Sequence, residues 1–155
     1  MSLFDAMRIS ATGMSAERTR MDVASENLAN ANSTNGPNGP YRRKEVALRS
    51  AAGGFSSMLS SVAGASATRS SIGTATGTTR GGVQVAQIVE DQTPNRKVYD
   101  PGHPDADGQG YVSMPNVNPV VEMTDLISSS RAYEANVTAM QTSKTMLSRL
   151  MDTLK

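Results

Sequence analysis

The sequence predicts a mainly α-helical protein with a small β region. Long helices at both ends pair as an α-helical coiled coil, with a short β-rich and loop-rich segment between them. Three observations predict this. Apolar residues recur every seven positions towards both ends of the 155-residue chain. Between them the period changes to short β-like stretches. Two Phe, four Tyr and no Trp leave little to fill a large aromatic core.

The first segment, 1–32, opens with Ser2 and Asp5 in a capping pattern. Met7, Met14, Met21 and Leu28 then follow at intervals of seven, with Phe4 and Ala11 at the companion positions that Arg18 and Ser25 continue. The helix is expected to stop near Asn32, because residues 32–40 are dense in Asn, Gly and Pro. The middle segment, 33–117, contains four expected strands, Lys44–Leu48, Val83–Glu90, Lys97–Tyr99 and Gly110–Met114. Residues 49–80 are Ser, Gly, Ala and Thr with few apolar neighbours, a composition expected of a flexible linker. The last segment, 118–155, starts at Asn118 as a cap and Pro119 in the first helical position. Leu126, Tyr133, Met140, Leu147 and Leu154 recur at seven, paired with Met123, Ser130, Val137, Lys144 and Met151. As one helix this segment would be about 55 Å long at 1.5 Å per residue. The radius of gyration of a compact chain of this size is about 15 Å. The stripe is therefore expected to be buried against the N-terminal helix and against other subunits.

Fifteen basic and fourteen acidic residues give a net charge of +1, a poor footprint for a nucleic-acid binder. No cysteine is present, which excludes disulfides and thiol catalysis. The start lacks a cationic region followed by a long apolar run, so no cleaved secretory signal is expected. No run of eighteen apolar residues encodes a membrane span. Ten Met suit surfaces that adapt to several neighbours.

Chemistry has one candidate location. Asp100 to Gly110, DPGHPDADGQG, gathers the single histidine, three aspartates and three glycines. Read as a calcium loop, it places His103 at position one and Met114 where a bidentate glutamate belongs, so it lacks the six to eight oxygens calcium needs. One His and no Cys leave zinc short of ligands. No nucleophile elbow or phosphate-binding glycine loop is present. The stretch is read as a turn shaped by Pro101, Gly102, Pro104 and Gly108. The protein is expected to have no catalytic, cofactor or metal site and no small-molecule substrate.

Several stretches carry a family resemblance that runs almost end to end. Glu26-Asn27-Leu28-Ala29-Asn30-Ala31-Asn32 resembles the N-L-A-N box of flagellar axial proteins, the rod and hook family. Gly39-Pro40-Tyr41-Arg42-Arg43-Lys44, the segment Val98–Asn118 with Asp100, Pro101, Gly102, Asp105 and Asn116, and Glu122–Val137 are similar to the FlgC family of proximal-rod proteins. The resemblance implies a structural subunit of the basal-body rod on the periplasmic, cell-envelope side. Its implied partners are further copies, proximal and distal rod subunits and the rod–rotor junction protein. It also implies passage through the flagellar type III export apparatus without a cleaved signal. Subunit packing would fall to Met7, Met14, Met21, Leu28, Met123, Leu126, Tyr133, Val137, Met140, Leu147, Met151 and Leu154. A free-standing coiled-coil adaptor would account for the heptads but not for the central segment.

Overall fold

Small residues decide how the two ends of this chain meet. The computed structural model describes residues 3–36, 39–51 and 81–153. Within them helix α1 (Leu3–Ala29) is followed by strands β1 (Lys44–Ser50), β2 (Val83–Glu90), β3 (Arg96–Tyr99) and β4 (Tyr111–Met114), then helix α2 (Pro119–Thr153). Proline is absent from α1, and α2 has it only at its first position, where the missing N–H costs nothing. Asn118 caps α2, its side-chain oxygen accepting from the Val120 N–H at 3.1 Å.

The helices pack antiparallel. Asn27 meets Glu122, and fourteen residues back along α1 Gly13 meets Asn136, fourteen residues forward along α2. Ser10, Ala16, Val23, Ala24 and Asn27 are buried on α1, and Glu122 and Ser129 on α2. A Cβ on Gly13 would sit 3.0 Å from the Asn136 amide nitrogen. This closeness makes a prediction. Gly13→Leu overpacks the seam and lowers stability by about 1–3 kcal/mol. Gly13→Ala stays near neutral, because Asn136 has only to yield slightly and alanine regains about 1 kcal/mol of helix propensity. Thermal unfolding of both variants checks it.

The seven-residue stripes do not occupy the centre of this seam. Glu122, Ser129 and Asn136 stand one residue from Met123, Ser130 and Val137, about 100° around the helix. Met7, Met14, Met21 and Leu28 are half-buried beside the seam, as are Leu126, Tyr133, Val137, Met140 and Leu147. Met123 and Met151 are 53% and 63% exposed. Small seam residues let the backbones approach, and the bulkier series is displaced to the flank. There Arg18, Met21, Asp22 and Ser25 of α1 line one open groove with Leu126 and Tyr133 of α2. Leu154 lies outside the described residues.

β1 and β2 pair antiparallel from Lys44 opposite Glu90 to Ser50 opposite Val83, with a bulge between Ala47 and Leu48. Arg49 and Ser50, expected to begin the linker, belong to this ladder, and the Ala51 N–H continues it to the Gly82 carbonyl at 2.9 Å. The rest of the expected linker, 52–80, lies outside the described residues. The ribbon runs beside α1, where the Val83 N–H donates to the Thr12 hydroxyl at 3.2 Å. β3 and β4 form a second antiparallel pair, closed by an edge-on contact of Tyr99 and Tyr111 with ring centroids 5.3 Å apart. Val112 on β4 is 2% exposed.

Candidate functional site

The tightest polar cluster joins three segments distant in sequence: the last turns of α1, the start of β1 and the first turn of α2. Asn27, 1% exposed, stands at its centre. Its side-chain Nδ2 donates to the Lys44 carbonyl and to Glu122 Oε2, both at 2.9 Å. Its Oδ1 accepts from the Lys44 N–H and the Tyr41 hydroxyl, again at 2.9 Å. Both amide hydrogens and both acceptor positions are thereby used.

Glu122, 1% exposed, is held from both sides. Arg43 Nε donates to its Oε1 at 2.6 Å, and the Arg43 guanidinium also reaches Asp125 at 3.7 Å. Glu122 holds the Arg43 pKa above its ordinary value by accepting this hydrogen bond. The Arg43 backbone N–H donates to Asn116 Oδ1 at 3.0 Å. Lys44 completes the rim, pairing with Glu26 and standing 5.9 Å from the centre of the Tyr41 ring.

Tyr41 senses this setting. Partial burial, and then the carboxylates of Glu26, Glu122 and Glu90, push its phenol pKa from 10.0 up to about 12. The neutral phenol is thus favoured in the folded chain, and the unfolded chain loses its proton first. Stability from this group is complete below pH 10 and is lost as pH rises towards about 12. Tyr41→Phe removes this alkaline decline, at a cost of about 0.5–1.5 kcal/mol at neutral pH for the lost hydrogen bond. Denaturant unfolding at pH 7 and across the alkaline range measures both effects.

The structure therefore brings Asn27, Tyr41, Arg43 and Asn116 together. Pro40 and Leu28 are half-buried beside them, whereas Ala29 is exposed and Arg42 turns out to Gln92 at 3.3 Å. Asn30 donates to the Glu26 carbonyl at 3.0 Å and accepts from Ser33, which finishes the helix. Sequence reasoning missed Glu122 and Lys44 as members. An acidic residue in a first helical turn reads as a partner of the helix dipole, and Glu122 precedes by one residue the Met123 that the heptad singled out.

The Asp100–Gly110 loop joins β3 to β4. Asp100 Oδ1 accepts from the Gly102 N–H at 3.2 Å, and the Asp100 N–H donates to the Gly110 carbonyl at 3.0 Å. Pro101 lies beside Gly110, whose φ of +80° favours glycine, and a Cβ there would stand 3.0 Å from the Tyr99 ring. Asp107 accepts from the backbone N–H groups of Tyr111 and Gln109, which hold its carboxyl below the ordinary range. Asp105 accepts from Thr34 at 2.7 Å and Asn35 at 3.1 Å, tying the loop to the segment after α1. His103 Nδ1 accepts from the Asp105 N–H at 3.1 Å. Each carboxylate thus serves the shape of the loop. Among the described residues no three His, Cys, Asp or Glu converge as a metal site, and no helix is long and apolar enough to cross a membrane.

Comparison with known proteins finds two matching family models and near full-length relatives. Residues 7–37 match the family model described as "Flagella basal body rod protein", and residues 109–153 match "Flagellar basal body rod FlgEFG protein C-terminal". The chain is 45% identical to the flagellar basal-body rod protein FlgC of Bacillus subtilis, with 98% of each chain covered. It is 39% identical to FlgC of Escherichia coli O6:H1, over 95% of this chain and 94% of that one. Identity to FlgC of Borreliella burgdorferi is 38%, over 94% and 93%.

Proposed function

This chain belongs to the FlgC family of flagellar basal-body rod proteins, and from that premise we propose that it builds the proximal rod. As a member it is a structural subunit of the flagellar basal body. In the proposed role, copies pack with proximal and distal rod subunits and the rod–rotor junction protein into a shaft that carries torque to the distal rod and hook. The flagellar export apparatus delivers the chain to the cell-envelope side without a cleaved signal.

The observation that carries this reading is the flank of the helix pair. Met21, Leu126 and Tyr133 line an open groove there, while Met123, Ile127, Leu150 and Met151 are more than half exposed. The heptad residues Met7, Met14, Met21, Leu28, Met123, Leu126, Tyr133, Val137, Met140, Leu147, Met151 and Leu154 serve as contacts to neighbours. Each large apolar side chain covered there contributes roughly 1.5–3 kcal/mol, so repeated seams stiffen the tube. The polar cluster around Asn27 holds each subunit in the shape that presents this flank.

Labelling the tagged protein in isolated basal bodies tests the proposal. The label is expected between the rotor ring and the distal rod. A soluble label absent from basal bodies would support a free-standing adaptor instead.

A further inference from the structure

We propose that Glu122 is the register-setting residue of the helix pair, deciding which turn of α2 stands against which turn of α1. The inference stands on the fold alone and does not depend on the rod reading.

The seam is nearly blind to a shift of seven residues. Glu122, Ser129, Asn136 and Ser143 form one row of α2, seven residues apart. Moving α2 by one heptad brings Ser143 opposite Gly13 and Ser129 opposite Asn27. Both of these incoming side chains are smaller than those they replace, and Asn136, which would enter the buried place of Ser129, is the one larger arrival in the row. The flank is equally degenerate, because Leu126, Tyr133, Met140 and Leu147 map onto one another, as do Met7, Met14, Met21 and Leu28. Apolar packing alone therefore leaves two registers about 10 Å apart at 1.5 Å per residue.

Glu122 breaks that degeneracy. Its two oxygens are taken by different segments, Oε1 by Arg43 at 2.6 Å and Oε2 by Asn27 at 2.9 Å. Ser129, its replacement after a slip, carries no charge and has one short hydroxyl. Arg43 would lose Glu122 and Asp125 together, and Asn27 would lose one acceptor while buried. Unpaired buried polar groups are costly, so the shifted state is rejected chiefly by electrostatics. A single buried polar residue fixes the register of periodic helical seams in the same way. The β3–β4 hairpin adds the burial of Val112, while its hydrogen-bonded ties are weaker: the Asp105 bonds to Thr34 and Asn35 are exposed, and Asn116 bonds Arg43 within the same cluster.

Disulfide trapping tests this, and the absence of native cysteine makes every crosslink assignable. Gly13→Cys is combined with Asn136→Cys to report the observed register, or with Ser143→Cys to report the slipped one. Removing the Asn136 amide also clears the atoms that a new Cβ at 13 would meet. The full-length chain is oxidised, and intramolecular crosslinked peptides from the monomer fraction are quantified by mass spectrometry. With Glu122 intact, the 13–136 product is expected to dominate. Glu122→Met, which fills the space without hydrogen bonding, raises the ratio of 13–143 to 13–136 product by about tenfold or more. Glu122→Gln keeps an oxygen acceptor, and the native product should remain dominant.

Three outcomes overturn the proposal. One is a Glu122→Met chain that traps only the native pair. Another is loss of both products in Glu122→Met, which would make the residue a requirement for pairing rather than for register. The third is a parent chain that fails to trap 13–136.

Discussion

Arg43→Met lowers the free energy of unfolding by about 3–5 kcal/mol, the range found when one partner of a buried ion pair is removed. The size follows from what remains. The Glu122 side chain is 2% exposed and Arg43 is its only cationic partner within ion-pair distance among the described residues. Methionine keeps much of the arginine stem's volume, so lost packing is a small part of the change. Asn27 continues to donate to Oε2, and that single neutral donor does not replace a guanidinium. By contrast, Arg42→Met breaks only an exposed hydrogen bond to Gln92 and should stay within about 0.5 kcal/mol. Denaturant midpoints of these adjacent substitutions give the comparison directly. Equal effects from the two would refute the assigned role of the cluster.

Leu147→Asp abolishes assembly and motility while leaving export intact. Leu147 is half-buried beside the seam near the end of α2. In the proposed assembly its flank is covered by a neighbour, and an unpaired carboxylate there would cost several kcal/mol. Replacing His103 and Asp105 together by Asn is the control. Asn keeps an oxygen acceptor for Thr34 or Asn35 and retains turn propensity, while removing acid–base and metal-binding character. Cells carrying the double replacement are expected to swim. Non-motile double-Asn cells alongside swimming Leu147→Asp cells would move the functional site to the loop. Motility plates, with basal-body fractions probed for the subunit, separate these results.

The two terminal helices and the β stretches could be read from the chain because each rests on local chemistry. Asn118-Pro119 starts a helix wherever it occurs beside a periodic run, and the residues of Val83–Glu90 suit a strand. The identity of the seam was less accessible. Period seven marks which residues share a face, but several faces of a helix carry that period at once. Asn136 stands against Gly13 and Ser129 is buried one heptad before it, a placement set by the pair of helices that neither displays alone. The polar cluster was legible only as family motifs. Asn27, Tyr41, Arg43 and Asn116 stood in separate stretches, and nothing local says that they converge. Glu122 stayed hidden because burial of a glutamate is decided by a partner 79 positions away. Arg49 and Ser50 were misjudged for a similar reason: their strand character comes from pairing with Gln84 and Val83.

Asn27 has one more consequence. The Arg43 carbonyl faces β2, accepting from the Asp91 N–H at 2.8 Å, so the N–H and carbonyl of Lys44 point the opposite way, to the open edge of the ribbon. An open edge is a template on which a foreign strand can dock and propagate aggregation. The carboxamide of Asn27 gives Lys44 one donor and one acceptor, as the peptide group of a third strand would, and ends the ladder there. Such a plug would matter most in the proposed assembly, where copies of the chain are brought together. A chain that lost Asn27 would expose the unpaired N–H and carbonyl of Lys44 there.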